Sequence, residues 1–284
     1  MIQRMKPALL SLIAVLLAAA AVRADEPAAN PFFAQDTAIQ KTDKLDTVKQ
    51  LGYAGVSWKP AAPESLATLV KQLRERDLKL VAIYSSATLT KTELKLPPLL
   101  EADLPVLKGT GATIWLPIYS KDFPSSAADG DAVAVPALQQ LAELAAKHDL
   151  RVAIYPHKGS WAERVQDAVR LAKKVDRKNL GVTFNLCHCL AVGDEVKIPE
   201  LLEQAMPHLF LVTINGADAN AAGGSWARLI QPLGEGTYDV RTVVKKLQAL
   251  NYTGPIGLQG YGIKLPPEEN LKKSMTAWKE INAR

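Results

Sequence analysis

The amino-acid sequence predicts a (β/α)8 barrel forming a single domain. Three observations carry that prediction. Short β-type runs alternate with helix-length amphipathic runs along the whole chain. Several of the β-type runs are apolar throughout, as strands are when both faces are covered. Eight such pairs occupy about 260 residues, the count and length of this barrel. An open doubly wound sheet is the competing architecture. No strand-to-helix junction carries the G-x-G-x-x-G or P-loop pattern that would favour it.

The predicted strands are PFFAQ (31–35), AGVSW (54–58), KLVAIYS (79–85), ATIWLPI (112–118), RVAIYP (151–156), LGVTF (180–184), LFLVTI (209–214) and PIGLQ (255–259). They are rich in β-branched, aliphatic and aromatic residues. The helices lie between and after them. KLDTVKQLG (44–52) stops on glycine, and PESLATLVKQLRERD (63–77) starts on Pro and Glu, which suit a first turn. PPLLEADLPVLKGTG (97–111) is interrupted by Pro105. VPALQQLAELAAKHD (135–149), SWAERVQDAVRLAKKVD (160–176), IPELLEQAM (198–206), DVRTVVKKLQALN (239–251) and PEENLKKSMTAWKEINA (267–283) repeat apolar residues at i, i+3, i+4 and i+7. No linker or internal repeat divides them.

The first 24 residues read differently. MIQRMK is basic, PALLSLIAVLLAAAAV is apolar, and small residues precede a cut after Ala24. This pattern predicts a cleaved secretory signal and hence an exported protein, periplasmic or secreted, whose barrel occupies 25–284. An uncleaved N-terminal anchor is the alternative, but the apolar run is short for a span. After cleavage no stable membrane association is expected. Loss of Arg4, Lys6 and Arg23 leaves 31 basic against 29 acidic residues, a charge of +2. No Lys/Arg block survives as a footprint for nucleic acid, so no nucleic-acid partner is expected. Cys187 and Cys189 flank His188, too close for an unstrained bridge within a strand, and are read as small buried residues. The sequence does not determine an oligomeric state.

In such a barrel, function gathers at the C-terminal ends of the strands. Those ends carry Trp58 and Lys59, Tyr84 and Ser85, Tyr119, Tyr155 with His157 and Lys158, Asn185 and His188, Thr213 and Asn215, and Gln259 with Tyr261. The expected mouth is rich in amides and aromatics, has two histidines and lacks carboxylates. Trp226 sits in NAAGGSWARL, where Gly223 and Gly224 allow a hinged lid; a packed indole on a surface loop is the alternative. His148 and His208 are expected to be structural.

LGYAGVSW, VAIYPH, LGVTFNLCHCLAVGDE, LVTING and above all PLGEGTYDVRTVVKKLQALNYTGPIGLQ resemble the xylose isomerase-like TIM barrels. That family includes sugar isomerases, epimerases and apurinic endonucleases. The resemblance spans nearly the whole mature chain. It implies a divalent metal held by Glu, Asp, His and Glu from strands five to eight. The matching positions here are Tyr155, Asn185, Thr213 and Gln259. None is a good ligand for a hard cation, because the amides keep carboxylate shape without the charge. No metal ligand is therefore assigned and no cofactor is expected. A divalent ion such as zinc or manganese is the alternative; two histidines with Asn185 would favour zinc or nickel over magnesium.

The resemblance implies proton transfer beside a carbonyl on a carbohydrate or keto-sugar: isomerisation, epimerisation or a related elimination. Without the metal, His157 and His188 would be the acid/base pair, since imidazole is matched to neutral pH. Lys158, Asn185 or Gln259 would hold the developing oxyanion. Tyr155, Thr213, Trp58, Tyr119 and Trp226, with the two amides, are the candidate substrate-binding residues. A non-catalytic carbohydrate-binding protein on the same barrel is the competing function. The endonuclease branch is disfavoured by the predicted export, the low charge and the missing ligands.

Overall fold

The computed structural model describes residues 30–283. The signal reading of residues 1–24 lies outside them. Eight parallel strands close into a barrel, and three further short strands form a separate small sheet. In chain order the strands are β1 (Phe32–Ala34), β2 (Gly55–Trp58), β3 (Lys79–Tyr84), β4 (Ala87–Leu89), β5 (Leu94–Lys95), β6 (Thr113–Leu116), β7 (Ile118–Ser120), β8 (Arg151–Ile154), β9 (Leu180–Asn185), β10 (Leu209–Ile214) and β11 (Ile256–Leu258). Around the barrel the order is β1-β11-β10-β9-β8-β6-β3-β2. The eight predicted runs are its eight strands. The small sheet, β5-β4-β7, was not expected. It arises where the chain continues past β3 and β6, and Ala87 N–H bonds the Pro117 carbonyl.

Each helix predicted from apolar periodicity is present, with shifted ends. The helix expected at 135–149 begins earlier, at Asp131, and runs through Pro136 to Ala146. Asp131 is buried and paired with Arg170 and Lys174, which anchors that early first turn. The helix expected from 160 begins at Val165. Residues 160–162 instead dock on the sheet, with the Trp161 and Ala162 amides bonding the Ile118 carbonyl. A short helix, Leu186–Ala191, follows β9 directly. Cys187 and Cys189 therefore sit on a helix rather than a strand, and both are buried free thiols. Among the described residues no helix is long and apolar enough to cross a membrane.

Two apolar cores result. The larger one lies between the barrel wall and the helices. The smaller one fills the barrel interior with Phe33, Ala82, Trp115, Ala153, Tyr155 and Leu211. Small residues from β3 and β8 admit the large rings of Phe33, Trp115 and Tyr155. Gly257 of β11, paired with Phe33 of β1, is needed for the same reason. A Cβ there would stand 2.3 Å from Phe33 Cζ. These rings, tilted against one another, form the floor on which the mouth of the barrel rests.

Candidate active site

A cavity of about 380 Å³ opens above that floor. Gln35, Asp36, Thr37, Lys59, Tyr84, Trp115, Tyr155, His157, His188, Trp226, Ile230, Gln259 and Tyr261 line it. Trp115 and Tyr155, with ring centroids 5.3 Å apart, are its base. His157 follows β8, and His188 lies on the helix following β9.

The two imidazoles lie against each other, ring centroids 3.9 Å apart and planes tilted by 42°. One backbone residue, Lys158, orients both. Its carbonyl lies 2.9 Å from His157 Nδ1, and its amide donates to His188 Nδ1 at 3.3 Å. A carbonyl only accepts and an amide N–H only donates. His157 therefore carries its proton on Nδ1 and presents a bare Nε2. His188 accepts on Nδ1 and carries its proton on Nε2. The pair offers one base nitrogen and one N–H donor. Burial holds His157 below its ordinary pKa, although the bond to the Lys158 carbonyl works the other way. Burial, and then the neighbouring His157, hold His188 well below its own. Both shifts favour the neutral rings.

Of the four positions that the resemblance matches to metal ligands, the two amides are engaged by other partners. Asn185 Nδ2 donates to the Tyr155 hydroxyl. Its Oδ1 accepts from the His188 amide at 3.2 Å and from Cys187 Sγ at 3.0 Å, capping the short helix. Gln259 Oε1 accepts from Thr37 Oγ1 at 2.9 Å and from the amides of Gly260 and Tyr261 at 2.9 and 3.0 Å. Neither amide oxygen has a lone pair left for a cation. Burial pushes the Tyr155 hydroxyl far above its ordinary pKa, so it stays a neutral phenol. Thr213 is fully buried beside that hydroxyl. These residues do not fit a hard divalent ion. Among the described residues no group of three or more His, Cys, Asp or Glu is placed to hold a metal.

The other expected site residues divide. Trp226 lines the cavity, its indole edge-on to His188 at 5.4 Å. Tyr119 stands behind His157, its ring 5.6 Å away, and its hydroxyl lies 3.5 Å from that of Tyr84. Trp58 is not at the mouth: it is buried in the core between barrel and helices. Strand alternation decides this, since the last residue of β2 faces outward. The Lys158 side chain also departs from its expected place, pairing at 3.4 Å with Glu163 rather than lining the cavity. Lys158 acts on the site through its backbone.

The sequence analysis missed Gln35, Asp36, Thr37 and Ile230. Asp36 corrects the expectation of a mouth without carboxylates. Burial raises its carboxyl above the ordinary value, more than the nearby Lys59 lowers it. It follows the strand-end rule applied to the first strand, so the sequence did contain its signal. Ile230 reaches the cavity by a loop path that nothing local announces.

The profile of the xylose isomerase-like TIM barrel family matches residues 45–281. An uncharacterised protein of Methanocaldococcus jannaschii is 22% identical over 130 residues, which span 45% of this chain and 42% of that protein. The match thus covers less than half of that relative's length. Among solved structures, the IolI protein with a bound zinc atom has a TM-score of 0.72 at 14% identity, over 88% of this chain and 97% of that one. The 3-keto-D-glucoside 4-epimerase of E. coli gives 0.68 at 17% identity, over 88% and 99%. The D-allulose 3-epimerase of Methylomonas sp., in complex with D-allulose, gives 0.70 at 16% identity, over 89% and 97%. At such identities these likenesses concern the fold. The profile match covers most of the chain, and on it this protein belongs to the xylose isomerase-like TIM barrel family.

Proposed function

We propose that this protein is an exported sugar isomerase or epimerase that moves a proton beside a carbonyl without the family's divalent ion. The observation that carries the proposal is the His157–His188 pair, held in complementary tautomers at the edge of a sugar-sized cavity. In this reading His157 Nε2 takes the proton from the carbon next to the carbonyl. The His188 Nε2–H holds the oxygen on which charge develops. Tyr84, Trp115 and Trp226 supply flat apolar faces for the ring carbons of a sugar. Membership of the family and the sugar epimerases among the structural relatives support the substrate class. The aromatic rim also supports a second reading, a binding protein without turnover, for which histidine replacement would leave function intact.

Incubation with keto-sugars before and after EDTA treatment tests the proposal. Turnover is expected to persist in EDTA, and Mn²⁺, Zn²⁺ or Mg²⁺ is expected to leave the melting temperature unchanged. A metal held only by the folded state would stabilise it by about 2.7 kcal/mol at a hundredfold excess over its Kd. Such a shift, with turnover abolished by EDTA, would overturn metal independence. Export rests on the leader pattern of residues 1–24. N-terminal sequencing of protein from the native host should begin at Asp25, and a chain still starting at Met1 would reject cleavage.

A further inference from the structure

His157 and His188 are in van der Waals contact at 3.9 Å between ring centroids, so no substrate atom fits between them. Both rings therefore address the same face of a carbon placed in the cavity. Inversion of that carbon needs a proton removed from one face and returned to the other. The histidine pair alone serves transfer on one face only.

Asp36 stands on the other side. It follows β1, and His157 follows β8; in the closed order these strands are four apart in either direction. They are thus opposite walls of the barrel, and both side chains line one cavity. Lys59 follows β2, which faces β9 and its His188 in the same way. We propose that Asp36 is a catalytic residue that exchanges a proton with the substrate carbon on the face opposite His157, making the reaction an epimerisation. This inference rests on the proton-transfer reading above and adds its stereochemistry.

The steps balance. His157 Nε2 removes the proton beside the carbonyl. The C–H electron pair becomes the new C=C bond, and the carbonyl π pair moves to oxygen, held by His188. The Asp36 carboxyl then delivers its proton to the opposite face, and the carbonyl re-forms. His157 is left protonated and Asp36 ionised. Exchange with water at the open mouth resets both without net proton uptake. The reverse direction starts from ionised Asp36 and protonated His157. Burial moves the two groups toward this exchange, raising the Asp36 carboxyl and lowering the His157 imidazole.

Proton NMR in D2O, with D-fructose, D-allulose and L-ribulose as probes, tests the assignment. With the unaltered protein, the inverted product should carry deuterium at the new centre while unreacted substrate stays protiated early in the reaction. In Asp36→Asn, inversion should fall by at least about 10²-fold. His157 should still wash deuterium into the substrate carbon with its configuration retained. Asp36→Glu, which keeps the acid, should recover part of the inversion. Asp36→Asn inverting within about threefold of the unaltered rate would overturn the proposal, as would loss of exchange together with inversion. If the unaltered protein neither exchanges nor inverts any probe, the proton-transfer reading itself fails, and the proposal with it.

Discussion

Replacing His157 by alanine is expected to lower turnover of a keto-sugar by about 10²–10⁴-fold while binding persists. The same holds for His188→Ala, by a different route. His157 loses the base nitrogen that its Nδ1–Lys158 bond keeps bare. His188 loses the N–H that its Nδ1 acceptor role keeps protonated on the far nitrogen. The two losses should not multiply, because groups that act on one transition state are not additive. The pH profile gives an independent check. Protonation of His157 removes the base. Its pKa is held below the ordinary imidazole value, so activity should survive acidification past about pH 6.5 before falling. Steady-state kinetics of both variants, with ligand binding by calorimetry, decide the matter. Full activity in both would end the acid/base assignment, and full binding with no activity in any form would favour the binding-protein reading.

Phe33→Ala is expected to cost about 3–5 kcal/mol of stability. Phe33 is fully buried inside the barrel, whose close-packed wall relaxes only in part around the space it would leave. Its ring lies 5.9 Å from that of Trp115, and Trp115 in turn supports Tyr155. The cavity floor therefore loses its base along with the fold losing its core. Urea denaturation measures the first effect, and ligand affinity of the surviving folded fraction measures the second. A loss below about 1 kcal/mol would mean that the interior repacks, contrary to the close fit between Phe33 and Gly257.

The contacts of Asn185 and Gln259 show what the two amides do at the barrel mouth. An ionised carboxylate at 185 could not donate to the Tyr155 hydroxyl as the Asn185 amide does. Asn185 both donates and accepts, so it satisfies the phenol and caps the helix at once. Gln259 likewise ties the β11 end to Thr37 beside β1. These amide contacts tie strand ends together at the barrel mouth, and the titratable groups stand around them.

Much of this was legible in the sequence because it is local. Strand runs, helix periods and the residues at strand ends depend on neighbours along the chain, and the eight units and the two histidines at the mouth could be read directly. Side-chain direction was less legible. Trp58 turns into the helix layer and Lys158 turns to Glu163, because the pleat and a loop contact orient them. What only the tertiary structure decided was opposition and environment. Closure of the barrel sets β1 against β8, so Asp36, unremarkable beside the first strand, faces His157 across the cavity. The Lys158 backbone, bonded to one ring through its carbonyl and to the other through its amide, sets both tautomers. These are through-space relations between residues distant in sequence, and the fields and burial that tune the site exist only once the barrel has closed.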